Sequence, residues 1–289
     1  MQPLSRTAMA GAALAVMAFG AQAVTLVGLN SQNQIATINT ANISAATNVS
    51  ITGLAAGDRF VGIDLRPGNN TIYGISLSNK IYTVNETTGA ATFVTNLGTA
   101  VVSSSLGYGI DFNPLADFNN VASLRLISSA GDNYGINVTT GAVATQTSIG
   151  TGFTGAGYSN STPLPTVAPA APTLYYLNST TDSLMKATSS FNNPSIVSVG
   201  MLGFDVLKAN GFEVLPNDTA YAALNLDDGS SLVTGIYSIS LTTGAATLVG
   251  TYNGTLSGLT VSAVPEPETY ALMLAGLLAV GSLARRRPR

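Results

Sequence analysis

Apolar and polar residues alternate along most of the chain, in short runs separated by Gly, Asn, Thr and Pro. Runs such as TIYGIS, KIYTVN, ATFVTN and GIYSISL have a period of two and are rich in Ile, Val, Tyr and Thr. This period and composition are typical of half-buried β-strands. Between the two chain ends no long stretch has a helical period, so the pattern predicts an all-β fold.

The phrase Thr-Thr-Gly stands three times between two predicted strands, and it ends at Gly89, Gly141 and Gly244. Tight hairpin turns often need a residue with positive φ, which glycine adopts without steric cost. We therefore predict the same hairpin in successive sheet units. Valine at any of these glycines is expected to strain the turn.

A second phrase sets the length of the repeated unit. GIDLRP begins at Gly62, GIDFNP at Gly109 and GFEVLP at Gly211, with weaker matches at Gly157 and Gly258. The third residues of these phrases are spaced by 47, 48, 54 and 47 positions, and they are Asp64, Asp111, Ser159, Glu213 and Thr260. A period of about 40–50 residues with four strands a unit is typical of a β-propeller.

The first unit lacks a strand at its own start, because it begins directly with TLVGLN. The phrase LSGLTVS stands alone after the last unit and can supply that strand. The sequence thus predicts a five-bladed β-propeller over residues 24–263, closed by its C-terminal strand so that sheet edges are paired. A β-sandwich and a propeller with another number of blades are the alternatives.

The N-terminal segment, residues 1–23, has the features of a signal peptide with a short helix. Arg6 supplies a positive charge, an apolar run follows over 8–20, and Ala21 and Ala23 are the small residues before a cut. We expect signal peptidase to remove this segment, so that the mature chain begins at Val24. An uncleaved anchor is the alternative.

The C-terminal segment, residues 264–289, has three parts: Val264-Pro265-Glu266-Pro267, an apolar run over 269–283, and the basic residues Arg285, Arg286, Arg287 and Arg289. Fifteen helical residues rise about 22 Å against about 30 Å of hydrocarbon, and arginines can snorkel across part of the gap. Positive charge favours the cytoplasmic side. We therefore predict a transmembrane helix that holds the core outside the inner membrane.

This three-part order resembles the PEP-CTERM sorting signal of Gram-negative bacteria. The resemblance implies recognition by an exosortase, a membrane-embedded cysteine protease or transpeptidase, and a cut near the Pro-Glu-Pro. The inner membrane is then a transient partner, and the protein is expected at the cell surface or outside the cell. Producers of exopolysaccharide commonly carry this system. A permanent C-terminal anchor is the alternative.

Three phrases in the middle of the chain, GIDLRPGNNTIYGIS, GIDFNPLADFNNVASLRLIS and GFEVLPNDTAYAAL, are similar to the domain-of-unknown-function family 4394. The similarity extends over most of residues 24–262. An insertion, FNNVAS, departs from its spacing just before Leu124 and Arg125. The resemblance implies a fold and no reaction.

The composition excludes several classes of function. The chain has no Cys, His or Trp, so thiol catalysis and zinc sites built from His or Cys are excluded. Residues 24–263 contain six basic and twelve acidic residues, a net charge of −6. Because nucleic-acid binding needs a basic surface, we expect no nucleic-acid partner.

Asp64, Asp111 and Glu213 occupy equivalent places on the predicted innermost strands. They could converge on the axis and bind Ca²⁺, helped by Ser159 and Thr260. Alternatively, each carboxylate accepts backbone N–H bonds from the next blade, which we favour because repeated residues mostly serve contacts between units. No catalytic residue and no cofactor besides this Ca²⁺ follow from the sequence.

Three further features are predicted to be structural. Asp117 and Arg125 are close enough in sequence to form an ion pair in the third blade. Asp227-Asp228-Gly229 lacks the later Glu of a Ca²⁺ loop and is expected to be a hairpin loop. The proline-rich stretch of residues 161–172 is expected to be an exposed loop or spacer.

Two functional hypotheses remain at this point. The first is a non-enzymatic surface or matrix protein that binds exopolysaccharide or another matrix component. The second is a secreted carbohydrate-active enzyme with carboxylates on the open face of the propeller. Carboxylates bound to backbone amides favour the first hypothesis, and a pair about 5–10 Å apart in a cleft favours the second.

Overall fold

A computed structural model describes residues 23–264, apart from Ala122 and residues 228–231. These residues form five four-stranded antiparallel sheets. The sheets are the blades of a β-propeller, and the predicted five-bladed all-β fold is confirmed.

The blades follow one another along the chain, and each runs from its innermost to its outermost strand. Blade one has the order β20 (Leu256–Val261), β1 (Thr25–Asn30), β2 (Gln34–Asn39) and β3 (Thr47–Ser50). Blade two consists of β4 (Phe60–Arg66), β5 (Thr71–Ser76), β6 (Lys80–Val84) and β7 (Ala91–Asn96). Blade three consists of β8 (Tyr108–Phe112), β9 (Ser123–Ser128), β10 (Asn133–Asn137) and β11 (Val143–Thr145).

Blade four consists of β12 (Phe153–Tyr158), β13 (Leu174–Asn178), β14 (Ser183–Ala187) and β15 (Ile196–Met201). Blade five consists of β16 (Lys208–Val214), β17 (Ala220–Asp227), β18 (Leu232–Ile239) and β19 (Ala246–Tyr252). β17 ends at Asp227 and β18 begins at Leu232, and the hairpin loop predicted at Asp228 and Gly229 lies outside the described residues.

The C-terminal strand closes the ring as the sequence predicts. β20 pairs antiparallel with β1, so that Thr260 lies opposite Val27 and Val261 lies opposite Leu26. The first blade is thus built from both ends of the domain. The innermost strands of all five blades contact their neighbours in a closed circle.

The hydrophobic core is divided into five clusters, and each cluster lies between two neighbouring blades. Between blades two and three, for example, Tyr73 packs edge-on against Phe112, with ring centroids 5.5 Å apart. A single blade therefore cannot bury its own apolar faces. Stability depends on contacts between successive units, as in other repeat architectures.

The three Thr-Thr-Gly turns have the predicted conformation. Gly89, Gly141 and Gly244 have φ of 71°, 74° and 78°. The turns also have a second role, because a Cβ on any of these glycines would overlap a backbone oxygen of the preceding blade. The oxygen near Gly141, for example, is that of Asn96 on the outermost strand of blade two. Each turn therefore packs closely against the backbone of the preceding blade.

Two connections on the chain have more structure than the sequence indicated. After Asn113 the chain forms a short helix, α1 (Pro114–Phe118), and the Asn113 side chain accepts hydrogen bonds from the first N–H groups of that helix. The proline-rich loop joins β12 to β13 in blade four. The N–H of Leu164 in this loop donates to the carbonyl of Pro67, 2.8 Å away in blade two. The loop thus bridges two blades that are not neighbours.

The predicted signal helix and C-terminal helix both lie outside the described residues. Within residues 23–264, no helix is long and apolar enough to cross a membrane.

Candidate functional site

Three of the acidic residues that the repeat aligns meet in the interior of the ring. Asp64 on β4, Asp111 on β8 and Glu213 on β16 are 3%, 2% and 3% exposed. One carboxylate oxygen of each lies within 4.8 Å of the others. Thr260, which comes from the closing strand, is fully buried beside them. We call these four residues the axial cluster.

Main-chain N–H groups connect the cluster from blade to blade. The N–H of Phe112 donates to Oδ2 of Asp64 over 2.7 Å, and the N–H of Tyr158 donates to Oδ1 of Asp111 over 3.1 Å. The donor in each case belongs to the next blade along the chain. This is the bonding that the structural interpretation of the repeat predicted for Asp64 and Asp111.

Thr260 joins the two ends of the circle. Its Oγ1 accepts the N–H of Leu65 over 3.0 Å. The same hydroxyl is 3.0 Å from Oδ1 of Asp64 and 2.7 Å from Oε2 of Glu213, and its single proton can be donated to either of them. The closing strand is therefore bound to both neighbouring blades by one side chain.

The fourth blade departs from the alignment made on sequence. Its position equivalent to Asp64 is Gly157 and not Ser159, because Gly157 lies opposite Tyr175 on β13 just as Asp64 lies opposite Tyr73 on β5. Ser159 instead bonds to Thr173 across the start of the loop. A side chain at residue 157 would meet the ring of Phe212, so that ring occupies the space of a fourth polar group.

Burial raises the pKa of each carboxyl group, and repulsion from neighbouring charges adds to the effect at Asp64 and Asp111. Burial raises the pKa of Asp64 well above its usual range, and the charge of Glu213 adds to the effect. The pKa of Asp111 is raised well above its usual range by burial and by the charges of Asp64 and Glu213. Burial raises the pKa of Glu213 to about 7. The cluster therefore retains protons at neutral pH unless a cation replaces them.

Carboxylate and hydroxyl oxygens are the ligand types that Ca²⁺ prefers, so the chemistry of the cluster suits the predicted metal. The ion takes about 6–8 oxygen ligands, however, and several of these oxygens already accept hydrogen bonds. A bound ion would have to compete with Phe112 and Thr260 for the oxygens of Asp64.

The axis offers little room for a larger ligand. Beside the cluster, the innermost strands approach so closely that a Cβ on Gly109 would lie 2.8 Å from the backbone nitrogen of Ala156. The cavity between these strands has a volume of about 10 Å³, which is about the size of one water. A sugar ring cannot enter the axis from this side.

The predicted ion pair between Asp117 and Arg125 does not form. The carboxylate of Asp117 instead binds Nε of Arg66 at 2.7 Å and the N–H of Gly68 at 2.6 Å. Helix α1 directs Asp117 back toward blade two. The side chain of Arg125 donates to Asn133 within blade three and to Tyr158 and Asn192 of blade four.

The site for sorting begins at the end of the described chain. Val264 lies three residues after the end of the closing strand, Val261, and the other motif residues, Pro265, Glu266 and Pro267, lie outside the described residues. The arginines 285, 286, 287 and 289 and the residue Ala21 of the signal cut lie outside them too, and Ala23 is the first residue described. Sequence reasoning missed Glu86, which accepts a hydrogen bond from the N–H of Val264.

Two family models match the chain. The model described as a domain of unknown function (DUF4394) matches residues 34–260, and the PEP-CTERM protein-sorting motif matches residues 263–287. Both resemblances seen in the sequence are thereby confirmed. The sorting motif implies export to the cell surface and processing by exosortase.

Several solved structures are similar in fold. One is a protein of unknown function from Bacteroides caccae, with 12% identity and a TM-score of 0.41 over 82% of this chain and 98% of that one. Another is a protein from Lactobacillus plantarum, with 9% identity and a TM-score of 0.42 over 82% and 99%. A third, from Bacteroides thetaiotaomicron, has 11% identity and a TM-score of 0.44 over 82% and 64%. No curated protein matches the sequence.

Proposed function

Because the chain belongs to the DUF4394 family and carries a PEP-CTERM sorting motif, we propose that it is a surface or matrix protein with a non-enzymatic propeller. In this proposal signal peptidase cuts after Ala23, and residues 269–283 hold the protein in the inner membrane. Exosortase then cuts near the Pro-Glu-Pro and delivers the propeller to the surface. The proposal rests on the position of the sorting motif, which begins at residue 263, just after the strand that closes the ring.

The state of the carboxylates supports a structural role for the axial cluster. A pair of catalytic carboxylates in a glycosidase must reach a sugar from both sides of the bond that breaks. Asp64, Asp111 and Glu213 are instead nearly inaccessible, and Asp64 and Asp111 accept N–H groups of the next blade. We propose that the cluster joins the blades and that the protein has no resident cofactor.

The proposed partner is exopolysaccharide of the producing cell. A cleft of about 470 Å³ between blades four and five is lined by Tyr175, Asp218 and several hydroxyl and amide groups. Aromatic rings, carboxylates and hydroxyl groups are the side chains that bind sugars by stacking and hydrogen bonding. This cleft is the binding surface that we propose for the first test.

The test of binding uses the propeller, residues 24–263, and exopolysaccharide purified from the producing cell. We expect the propeller to co-sediment with the polysaccharide, and Tyr175→Ala to weaken that binding. Because Tyr175 also packs against the core between blades four and five, the variant is expected to lose some stability and is assayed under conditions where it remains folded. Tyr134→Ala, a partly buried tyrosine of blade three, is the control. No binding of the wild type, or release of free sugars on incubation, would contradict the proposal.

The test of sorting uses the full-length protein in the producing cell. Glu266→Ala is expected to leave the protein in the inner-membrane fraction, whereas Glu268→Ala, just outside the Pro-Glu-Pro, is the control and is expected to be released. Release of the Glu266 variant at the rate of wild type would contradict processing at this motif.

A further inference from the structure

Two side chains of blade two hold the chain where the sorting motif begins. Oε1 of Glu86 accepts the hydroxyl of Ser262 over 3.1 Å and the N–H of Val264 over 3.0 Å. Between these contacts, the amide of Asn70 donates to the carbonyl of Ala263 over 2.8 Å. Three consecutive residues behind the closing strand are thus bound to the neighbouring blade.

Glu86 is an exception within the internal repeat. It stands second in the phrase Asn-Glu-Thr-Thr-Gly, and the same position holds Val138 and Leu241 in the other two turns. Val138 is fully buried, and Leu241 packs against the core between blades four and five. An apolar residue therefore suits this position, and the carboxylate requires another explanation.

The carboxylate is buried at a cost that only its contacts with the chain end offset. Glu86 is 9% exposed, and its second oxygen, Oε2, has no hydrogen-bond partner among the described residues. Burial raises the pKa of Glu86. A buried carboxylate with one unpaired oxygen lowers the stability of the fold. We therefore expect the hydrogen bonds of its other oxygen to serve a purpose. The bonds that Oε1 accepts come from Ser262 and Val264.

We propose that Asn70 and Glu86 form a clamp on residues 262–264, so that the segment open to exosortase begins at Pro265. The clamp is a positioning device and not part of the chemistry, and the proposal rests on the sorting function proposed above. It also protects the ring, because the N–H of Ser262 still pairs with Thr25 of β1 next to the clamp. A cut upstream of the clamp would shorten the strand that closes the propeller.

The number of residues between the clamp and the apolar run explains how the clamp limits the position of the cut. Residues 265–268 separate the clamp from the apolar run at Thr269, and they span at most about 14 Å when extended. Without the clamp, residues 262–264 are added to this stretch, and the seven residues 262–268 span at most about 24 Å. A protease at the membrane would then reach bonds that the clamped chain withholds.

The experiment follows full-length protein in the producing cell and identifies the C-terminus of the released form by mass spectrometry. Glu86→Val copies the turn of Val138, and Asn70→Gly removes the amide at a position whose φ of +49° glycine accepts. If the clamp forms, the released wild-type protein is expected to have a single C-terminus, at or after Val264. In either variant, ends upstream of Val264 are expected to rise about fivefold or more, as expected when hydrogen bonds of this kind are lost.

Glu86→Gln is the matched control, because its amide oxygen still accepts the bonds from Ser262 and Val264. Its released form is expected to end where the wild type ends. If Glu86→Val and Asn70→Gly also end there, while Glu266→Ala remains uncut, the clamp is disproved and the sorting proposal stands.

If Glu266→Ala is cut like the wild type, the sorting proposal fails. The clamp is then tested separately by limited proteolysis of the purified full-length protein. A broad protease is then expected to cut within residues 262–264 about fivefold faster in Glu86→Val than in Glu86→Gln. Equal rates would overturn the clamp itself.

Discussion

The main-chain N–H of Leu65 donates to Oγ1 of Thr260 over 3.0 Å, although 195 positions separate the two residues. Leu65 belongs to blade two and Thr260 to the strand that completes blade one. The ring is therefore closed twice, once by the pairing of β20 with β1 and once by this side chain. The second closure adds a polar contact to the apolar packing between the blades.

Thr260→Val tests this second closure. Valine keeps the shape of threonine but removes the acceptor of the Leu65 N–H and the donor shared by Asp64 and Glu213. We expect the free energy of unfolding to fall by about 1–3 kcal/mol, measured by urea denaturation. Thr251→Val, an exposed position on β19, is the control and is expected to change it by less than about 0.5 kcal/mol. Equal effects would show that Thr260 contributes no specific bond.

Stability is expected to depend on pH through the axial cluster. The pKa of Glu213 is about 7 in the folded protein and 4.5 in the unfolded chain. The resulting stabilisation is fully present below pH 4.5 and is lost as the pH rises toward 7 and above. In buffers free of divalent cations, we expect the urea midpoint to fall over this range. Glu213→Gln should flatten the fall, and an unchanged slope would contradict the raised pKa.

Addition of Ca²⁺ at pH 8 separates the two roles considered for the cluster. If the carboxylates only join the blades, millimolar Ca²⁺ should leave the melting temperature of the wild type unchanged. A rise that Asp111→Asn abolishes would show instead that the cluster binds the ion, since a ligand that binds only the folded state stabilises it by an amount that grows with the logarithm of the ligand concentration relative to its Kd.

The energetic effect of packing a Thr-Thr-Gly turn against the preceding blade can be measured by substituting two glycines. Gly141 and Gly57 have nearly the same φ, 74° and 77°, but a Cβ at Gly57 would meet open space. Gly57→Ala therefore reports the backbone cost alone, about 1 kcal/mol. Gly141→Ala should cost about 2 kcal/mol more because the methyl group overlaps Asn96 of the preceding blade. Equal losses in urea denaturation would show that the blades adjust to the extra methyl group.

A double-mutant cycle tests which arginine binds Asp117. The pair Arg66 and Asp117 is expected to show a coupling energy of about 1 kcal/mol or more, because the Asp117 side chain is fully buried. The pair Arg125 and Asp117 should couple by less than about 0.5 kcal/mol. The reverse order of the two couplings would contradict the geometry of α1.

The repeat explains why so much of the fold could be predicted. A strand period of two, a turn glycine with positive φ and a unit of about 47 residues are local features, and each is written several times. Even the closing strand was predictable, because LSGLTVS had no partner strands of its own. The alignment failed in blade four, where an apolar neighbour, Phe212, determines that residue 157 has no side chain.

The sequence by itself determined the propeller, its closure and the sorting motif, because these depend on periodic patterns and on the order of segments at the chain ends. Only the tertiary structure decided that Asp64, Asp111 and Glu213 share one buried space, that Asp117 binds Arg66, and that Glu86 holds the base of the sorting motif. The physical reason is that these contacts join residues from different blades. Their partners are set by the direction of each side chain within the closed ring, which no local pattern records.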